Sequence, residues 1–356
     1  MLLAAVRRCT HITSSVQLGS RPRALSSSMK CILAQDGACV VAERPVPEPV
    51  GREVLVKVLA SALNRADTLQ RKGAYPPPPG ASDILGLEMA GEVVSAGPDA
   101  ASTWQPGQRV MSLLAGGGYA QFCAADERLL MPLPDGFTIE QGAAVPETWL
   151  TAFQLLTKVG EVRPGDVVLV HAAGSGVGIA AIQLAVGLGA RVVAVAGADS
   201  KLAHASSIGA FATVNYKTVP DFADAVLAAT EGKGANLVLD PVGGGAHMAQ
   251  NLKAIATEGR WVLFGLMGGL TPEGNLLGTI LRKRITIRGT TLRARSNEYK
   301  AELIGAFSAH ALPKLSSGEY KVQISHTFPL EEADAAHKMM ESNATLGKLV
   351  LTVAHE

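Results

Sequence analysis

The chain has 356 residues, which exceeds the usual size of one hydrophobic core and predicts two domains. Hydrophobic residues make up 47% of it and charged residues 18%, a composition typical of a compact fold. With 32 basic and 31 acidic side chains, it lacks the positive field that attracts nucleic acid or an anionic membrane surface. No apolar stretch is long enough to span a bilayer. We therefore expect a small-molecule partner, with no nucleic acid and no membrane.

The first 28 residues differ in composition from the rest of the chain. Residues 1–35 contain no Asp or Glu, and arginines alternate there with serines and small apolar side chains. This composition is typical of a mitochondrial transit peptide. The alternative is a disordered extension, because Met29 begins a segment that suits a first strand. Translation from Met29 would then leave the protein in the cytoplasm.

Residues 29–150 alternate short β-rich runs with glycine and proline breaks, the pattern of an irregular, mostly antiparallel domain. Residues 54–58 and 119–122 are predicted strands of this kind. Residues 141–159 place apolar side chains at helical spacing and predict a helix. Residues 290–356 do not continue the regular alternation of strands and helices that precedes them. We expect them to belong to this first domain, which is then discontinuous in sequence.

Residues 151–289 alternate apolar strands with helices. The first strand, residues 167–170, is an unbroken apolar run suited to burial on both faces, and further strands are predicted at 191–195, 235–240 and 260–264. Strands and helices at this interval predict right-handed crossovers. The expected fold class is therefore α/β, with a doubly wound parallel sheet beside the mostly β domain.

A glycine-rich loop directly follows the first strand of this region. It contains Gly174, Ser175, Gly176 and Val177, and an apolar helix follows it. Backbone N–H groups in such a turn can approach a pyrophosphate, and the positive end of the helix supports its charge. The string is a variant of G-x-G-x-x-G, so its strand-to-helix context supplies the specificity. The alternative is a glycine turn without a ligand.

The end of the second strand bears on which dinucleotide would bind. Residues 195–198 lack the acidic side chain that would bind an adenosine ribose. Lys201 opens the next helix and Tyr216 follows the third strand, so a cation and a phenol could hold a 2′-phosphate. This pattern favours NADPH over NADH.

Further motifs make the chain similar to a known family. They include residues 64–67 (Asn-Arg-Ala-Asp), residues 85–91, the proline-rich turn after Tyr75, and residues 259–269. With the glycine loop, they resemble the medium-chain dehydrogenase/reductase superfamily, and within it the zinc-free quinone oxidoreductases, most closely their tumour-suppressor-inducible branch. In the zinc alcohol dehydrogenase branch, the positions of Asn64 and Leu87 carry Cys and His. Glu147 alone cannot hold catalytic zinc, which needs three protein ligands, so no metal is expected.

This resemblance implies a Rossmann cofactor domain at 151–289, a discontinuous GroES-like substrate domain at 29–150 and 290–356, and a homodimer. It implies that Asn64 and Tyr75 border the reacting ring as catalytic residues. The cofactor contacts it implies are Asn64, Thr151, Gly174, Ser175, Gly176, Val177, Lys201, Tyr216, Phe264, Gly265, Leu266, Leu292 and Thr345. Two departures from relatives are Ala198, where they place a serine, and Thr345, where they place an asparagine.

The expected function is NADPH-dependent reduction of quinones by direct hydride transfer without a metal. A quinone is already electrophilic, so the reaction needs orientation more than acid catalysis. Two alternatives remain open. One is an NADPH-dependent enoyl or alkenal double-bond reductase, which would share the fold and the cofactor. The other is a non-catalytic NADPH-binding redox sensor.

Overall fold

The structure is a computed structural model that describes residues 27–101, 103–219, 221–272 and 274–355. Most of the predicted N-terminal extension lies outside these residues, so mitochondrial targeting stays a prediction. Within these ranges, no helix combines the length and the apolar character that crossing a bilayer requires. The cysteines in the described ranges, Cys31, Cys39 and Cys123, are free thiols.

The elements are numbered in chain order. The strands are β1 (Ser28–Gln35), β2 (Ala38–Pro45), β3 (Glu53–Ala62), β4 (Glu88–Ala96), β5 (Arg109–Leu113), β6 (Phe122–Asp126), β7 (Leu130–Pro132), β8 (Val167–Val170), β9 (Arg191–Ala196), β10 (Ala212–Asn215), β11 (Ala235–Asp240), β12 (Ile255–Leu263), β13 (Thr286–Gly289), β14 (Ile324–Pro329) and β15 (Lys348–Thr352). The helices are α1 (Arg65–Arg71), α2 (Ile139–Ala143), α3 (Pro146–Gln154), α4 (Gly176–Gly187), α5 (Asp199–Ser207), α6 (Phe222–Ala229), α7 (Ala246–Ala254), α8 (Leu276–Lys283), α9 (Asn297–Ser316) and α10 (Ala333–Glu341).

Two sheets organise these elements. A seven-stranded sheet has the order β14-β15-β3-β4-β5-β7, with β6 paired to β3, and a β1–β2 hairpin accompanies it. A six-stranded, parallel sheet has the order β10-β9-β8-β11-β12-β13. This is the 3-2-1-4-5-6 order of a Rossmann sheet, and the predicted doubly wound sheet is confirmed. The order reverses between β8 and β11, where ligands bind outside the carboxyl ends of the strands.

One hydrophobic core joins the two sheets. It contains Ala60 and Met111 from the seven-stranded sheet and Val168 from the parallel sheet, together with side chains of α3, α4 and α9. Phe153 of α3 and Phe307 of α9 pack edge to face, with ring centroids 5.8 Å apart. Burying each such side chain contributes about 1.5–3 kcal/mol. Side chains of α3, α4 and α9 therefore join the two sheets in one packed core.

Several predicted elements differ from the structure, among them the strand expected at 260–264, which is β12 and begins at Ile255. The single helix expected at residues 141–159 is divided, because α2 ends at Ala143 and α3 begins at Pro146. Proline has no N–H to donate and favours the first position of a helix. The strand expected at residues 119–122 begins only at Phe122. Before it, Gly118 lies against the start of β4, where a Cβ would lie 2.6 Å from the Glu88 carbonyl oxygen.

Candidate active site

A tight loop joins β8 to α4 at the carboxyl edge of the parallel sheet. Ser175 caps the helix, and its Oγ accepts a hydrogen bond from the Gly178 N–H at 3.0 Å. Gly178 has no room for a side chain, because a Cβ there would lie 2.5 Å from the Ala172 carbonyl oxygen. The first N–H groups of a helix attract anions. The loop, with Gly176 and Val177 opening α4, therefore fits a pyrophosphate.

The segment before β15 covers this loop. Gly347 donates a backbone hydrogen bond to the Gly174 carbonyl oxygen at 2.9 Å. Thr345 lies two residues earlier and is half-buried. Lys201 packs along Gly174, where a Cβ would lie 2.6 Å from Lys201 Cδ. Its Nζ donates a hydrogen bond to the Asn343 carbonyl oxygen at 2.6 Å, so Lys201 links α5 to this covering segment.

Tyr216 stands beside the end of β9. A Cβ at Gly197 would lie 2.7 Å from its hydroxyl oxygen, and Tyr216 is 45% exposed. Partial burial and the nearby Lys217 ammonium lower the pKa of Lys201, so two ammonium groups lie within electrostatic range of one another. Tyr216 and the two lysines thus lie close to the end of β9, and their binding of a 2′-phosphate remains a prediction.

Three predicted residues follow β12. Phe264 donates its N–H to the Asp240 carbonyl oxygen at 3.0 Å. Gly265 lies against Pro241, where a Cβ would lie 2.7 Å from the carbonyl oxygen, and Leu266 is 53% exposed. Because parallel strands end at one edge of the sheet, these residues share the crevice with the glycine loop.

A buried ion pair lies at the junction of the two sheets. Lys348, the first residue of β15, is 4% exposed, and Glu88, the first residue of β4, is fully buried. The Lys348 Nζ donates three hydrogen bonds, to the Leu63 carbonyl oxygen at 2.5 Å, Asn64 Oδ1 at 2.8 Å and Glu88 Oε1 at 2.7 Å. Asn64 Nδ2 also donates to Glu88 Oε1 at 2.8 Å. Both ends of the Asn64 amide are therefore held in place.

Two more carboxyl groups lie beside this pair. Asp67 Oδ2 accepts the Asn64 backbone N–H at 2.7 Å, and the Glu147 backbone N–H donates to Glu88 Oε2 at 2.8 Å. Burial raises the pKa of Asp67 to about 7. Burial first, and then the charges of Glu88 and Asp67, raise the pKa of Glu147 to about 8. Glu147 therefore favours its protonated form near neutral pH, whereas Asp67 titrates close to neutral pH.

Arg293 orients Tyr75 at the edge of the cleft. Its guanidinium carbon lies 5.4 Å from the centroid of the Tyr75 ring. Arg293 also donates to Gln70 Oε1 at 2.7 Å and to the Ala115 carbonyl oxygen at 2.8 Å, which fixes the guanidinium. The neighbouring Leu292 is buried at 4% exposure.

Gly176 joins the glycine loop to the buried polar groups. A Cβ there would lie 2.7 Å from Lys348 Cδ and 2.9 Å from Thr148 Cγ2. Thr151, half-buried, follows one turn later in α3. The structure thus brings the predicted dinucleotide loop within van der Waals reach of Lys348, which in turn binds Asn64.

Comparison with known proteins agrees with this architecture. The family described as "Alcohol dehydrogenase GroES-like domain" matches residues 51–135, and "Zinc-binding dehydrogenase" matches residues 176–309. Over 305 residues, the chain is 34% identical to a quinone oxidoreductase of Pseudomonas aeruginosa, which covers 85% of this chain and 92% of that protein. The chain belongs to the medium-chain dehydrogenase/reductase superfamily.

The proteins that are similar to the chain are described by their names as several kinds of enzyme. The chain is 32% identical over 311 residues to a mycocerosic acid synthase-like polyketide synthase of Mycobacterium tuberculosis, covering 85% of this chain but only 14% of that protein. The structure of Escherichia coli quinone oxidoreductase complexed with NADPH matches with a TM-score of 0.80 and 29% identity, over 91% of this chain and 99% of that one. An NAD-dependent alcohol dehydrogenase structure matches with a TM-score of 0.80 and 33% identity, over 92% and 100%. The expected Rossmann and GroES-like architecture is confirmed.

The positions that hold zinc in the alcohol dehydrogenase branch of the superfamily carry different side chains in this member. Leu87 is apolar and fully buried, and the Asn64 amide is already bonded to Glu88 and Lys348. Glu147 is a single carboxyl group. The described part of the chain contains no group of three or more His, Cys, Asp or Glu side chains that could hold a metal ion.

Sequence reasoning missed several members of the site. Lys348 and Arg293 were not predicted to belong to it, and Asp67 and Glu88 were recognised only as parts of motifs. One signal was present, because Lys348 directly precedes the apolar run of β15. A lysine at the start of a buried strand needs a partner for its charge. The sequence could not show that the partner lies 260 residues away in Glu88.

Proposed function

We propose that this protein reduces quinones with NADPH by direct hydride transfer without a metal, as a member of the tumour-suppressor-inducible branch of quinone oxidoreductases. The contact of Gly176 with Lys348 carries this proposal, because it sets a dinucleotide loop beside the bonded Asn64 amide. Similarity to the quinone oxidoreductase of Pseudomonas aeruginosa and to the NADPH-bound enzyme of Escherichia coli supports it.

The residues at the crevice fit this cofactor. The N–H groups at the start of α4, with Gly174, Ser175, Gly176 and Val177, would hold the pyrophosphate. Lys201 would hold the 2′-phosphate with Tyr216. The nicotinamide half would be bordered by Asn64, Thr151, Phe264, Gly265, Leu266, Leu292 and Thr345. When bound, NADPH supplies a hydride.

Asn64 and Tyr75 would orient the quinone. The Asn64 amide is fixed by Glu88 and Lys348, and Arg293 holds the Tyr75 ring from one side. Such fixed groups lower the entropy that must be lost when two reactants are aligned. Their contribution is therefore positioning, together with the exclusion of water by the surrounding apolar side chains.

An assay panel tests this function. NADPH and NADH consumption would be followed with ortho-quinones and with crotonyl or alkenal substrates, each with and without a metal chelator. We expect the fastest turnover with NADPH and a quinone, unchanged by the chelator. Turnover of enones alone would favour the double-bond reductase, and binding without any turnover would favour the redox sensor. Inhibition by the chelator would contradict the zinc-free mechanism.

We also propose a homodimer formed through the β13 edge of the parallel sheet. β13 ends the described strand order of this sheet and pairs with β12. Leu277 and Leu281, one turn apart on the adjoining α8, are each 79% exposed, as is Leu270. An exposed apolar surface beside an open strand edge suits pairing with a second copy of the chain.

Replacing both Leu277 and Leu281 with glutamate should convert the dimer to a monomer. Four carboxylates would then face one another across the apolar contact, and burying them without partners is unfavourable. Light scattering after size-exclusion chromatography measures the mass. Val50, 64% exposed in the other domain, provides the control Val50→Glu, which should stay dimeric. A dimeric double variant would place the interface elsewhere.

A further inference from the structure

The Glu147 carboxyl has no role in the function proposed so far. Its backbone N–H is bonded to Glu88 Oε2, but its side-chain Oε2 is buried and receives no hydrogen bond within the described ranges. A buried carboxylate oxygen without a donor is unfavourable, whereas the protonated carboxyl avoids this cost. The geometry therefore favours a neutral Glu147.

Charged groups from four elements face Glu147. Glu88 on β4 and Asp67 on α1 oppose its ionisation, whereas Lys348 on β15 and Lys300 on α9 favour it. Lys348 has no N–H group left to pair with it, and among the described residues Lys300 donates no hydrogen bond to it. The three N–H groups of Lys348 donate to Leu63, Asn64 and Glu88. The Lys300 Nζ donates to the Arg293 carbonyl oxygen at 2.8 Å. With burial as the largest cause, the pKa of Glu147 rises to about 8.

Glu147 lies next to the residues assigned to the reacting ring. The pKa of Tyr75 is raised by burial and by the Glu147 charge, so the two side chains are electrostatic neighbours. The Glu147 charge also acts on the Arg293 guanidinium beside Tyr75, because it partly offsets the lowering of the Arg293 pKa by burial. Thr151 follows Glu147 by one turn of α3, and Glu147 as a whole is half-buried although its Oε2 is buried. The carboxyl therefore lies within electrostatic range of Tyr75 and Arg293, and the proposed function sets Tyr75 at the quinone.

We propose that the protonated Glu147 carboxyl donates the proton that the quinone oxygen needs during reduction. The inference rests on the proposed quinone reduction and adds the proton source to it. A quinone that accepts a hydride gains two electrons and one proton and becomes a hydroquinone monoanion, while the nicotinamide is oxidised. Proton transfer then breaks the O–H bond of Glu147 and forms the second O–H bond of the hydroquinone. Solvent returns a proton to the Glu147 carboxylate, which closes the cycle.

The variant Glu147→Gln tests this donor. It keeps the size of the side chain and the backbone bond to Glu88, but its amide is not an acid. In the wild type, kcat should fall as the pH rises through about 8, because the acid form is present below the pKa and lost above it. A solvent deuterium isotope effect should accompany kcat. In the variant, kcat should be about 100-fold lower at neutral pH, with the pH dependence and the isotope effect both lost.

The chemistry of the quinone separates a proton donor from a structural residue. Electron-poor quinones give more acidic hydroquinones, whose anions need a proton donor less. The ratio of wild-type kcat to Glu147→Gln kcat should therefore decrease as the quinone becomes more electron-poor. A structural defect would lower every rate equally. Glu231→Gln, at a side chain that is 84% exposed, is the matched control and should behave as the wild type does.

Infrared difference spectroscopy provides a readout without cofactor or turnover. The wild type should show a protonated carboxyl band that disappears as the pH rises through about 8 and that is missing in Glu147→Gln. Quinone turnover with the same pH profile and isotope effect in both proteins would overturn the inference alone. A wild type that reduces no quinone would overturn the proposed function, and the inference with it.

Discussion

Replacing Lys348 with methionine should lower the free energy of unfolding by about 3–5 kcal/mol, because it leaves a buried carboxylate without its cation. Lys348 and Glu88 are almost completely buried, and the Nζ to Oε1 distance is 2.7 Å. Methionine retains the apolar stem, so the change removes the ammonium and its three hydrogen bonds while keeping most of the packing. Urea unfolding followed by circular dichroism and fluorescence measures the loss, and coincidence of the two signals tests for a single transition.

A second substitution shows whether the loss comes from the unpaired charge. In the double variant Lys348→Met with Glu88→Gln, no buried charge is left alone, and most of the lost stability should return. Lys233→Met is the matched control, because this lysine is 79% exposed and should change stability by no more than about 0.5 kcal/mol. If Lys348→Met unfolds as the wild type does, the ion pair does not stabilise the junction.

Replacing Lys201 with alanine should weaken NADPH binding by about 10–100-fold, since a hydrogen bond to a charged group contributes about 1.5–3 kcal/mol. NADH has no 2′-phosphate, so its affinity should not change. The Lys201 Nζ now donates to the neutral Asn343 carbonyl oxygen, for which a phosphate is a stronger substitute. Isothermal titration calorimetry with both nucleotides measures the difference.

A neighbouring carboxylate and a control variant bear on the interpretation of the Lys201→Ala experiment. The carboxylate is that of Asp199, whose Oδ1 accepts a hydrogen bond from Asn215 Nδ2 at 2.7 Å. This bond holds the carboxylate in place but leaves its negative charge, which opposes a phosphate at Lys201. Lys233→Ala is the control for removal of a lysine far from the site. Equal losses of NADPH and NADH affinity in Lys201→Ala would show that Lys201 acts through the Asn343 contact and not through a phosphate.

The parallel sheet could be predicted closely because its strands are buried on both faces. The expected strands at 167–170 and 235–240 coincide with β8 and β11, and the strand at 191–195 differs from β9 by one residue. An unbroken apolar run marks such a strand without reference to its neighbours. The antiparallel domain could be predicted less well. Its strand ends depend on contacts between distant segments, such as the close approach of Gly118 to the Glu88 backbone on β4.

Some residues of the candidate site could likewise be predicted from the sequence, and others could not. The glycine loop, Lys201 and Tyr216 could be found because each follows a strand of the parallel sheet, and such strands end at one edge. That they contact NADPH remains a prediction. Glu88, Asp67 and Arg293 could not be assigned in this way, because their roles depend on partners on other elements.

The sequence by itself determined the alternation of strands and helices, the glycine loop, and the missing Cys and His at the zinc positions. These are properties of local order and of residue identity. Only the tertiary structure decided that Lys348 reaches Asn64 across 284 residues, and that Glu147 favours its proton. The physical reason is that charge pairing and desolvation depend on what surrounds a group in space, and the sheet topology sets those surroundings.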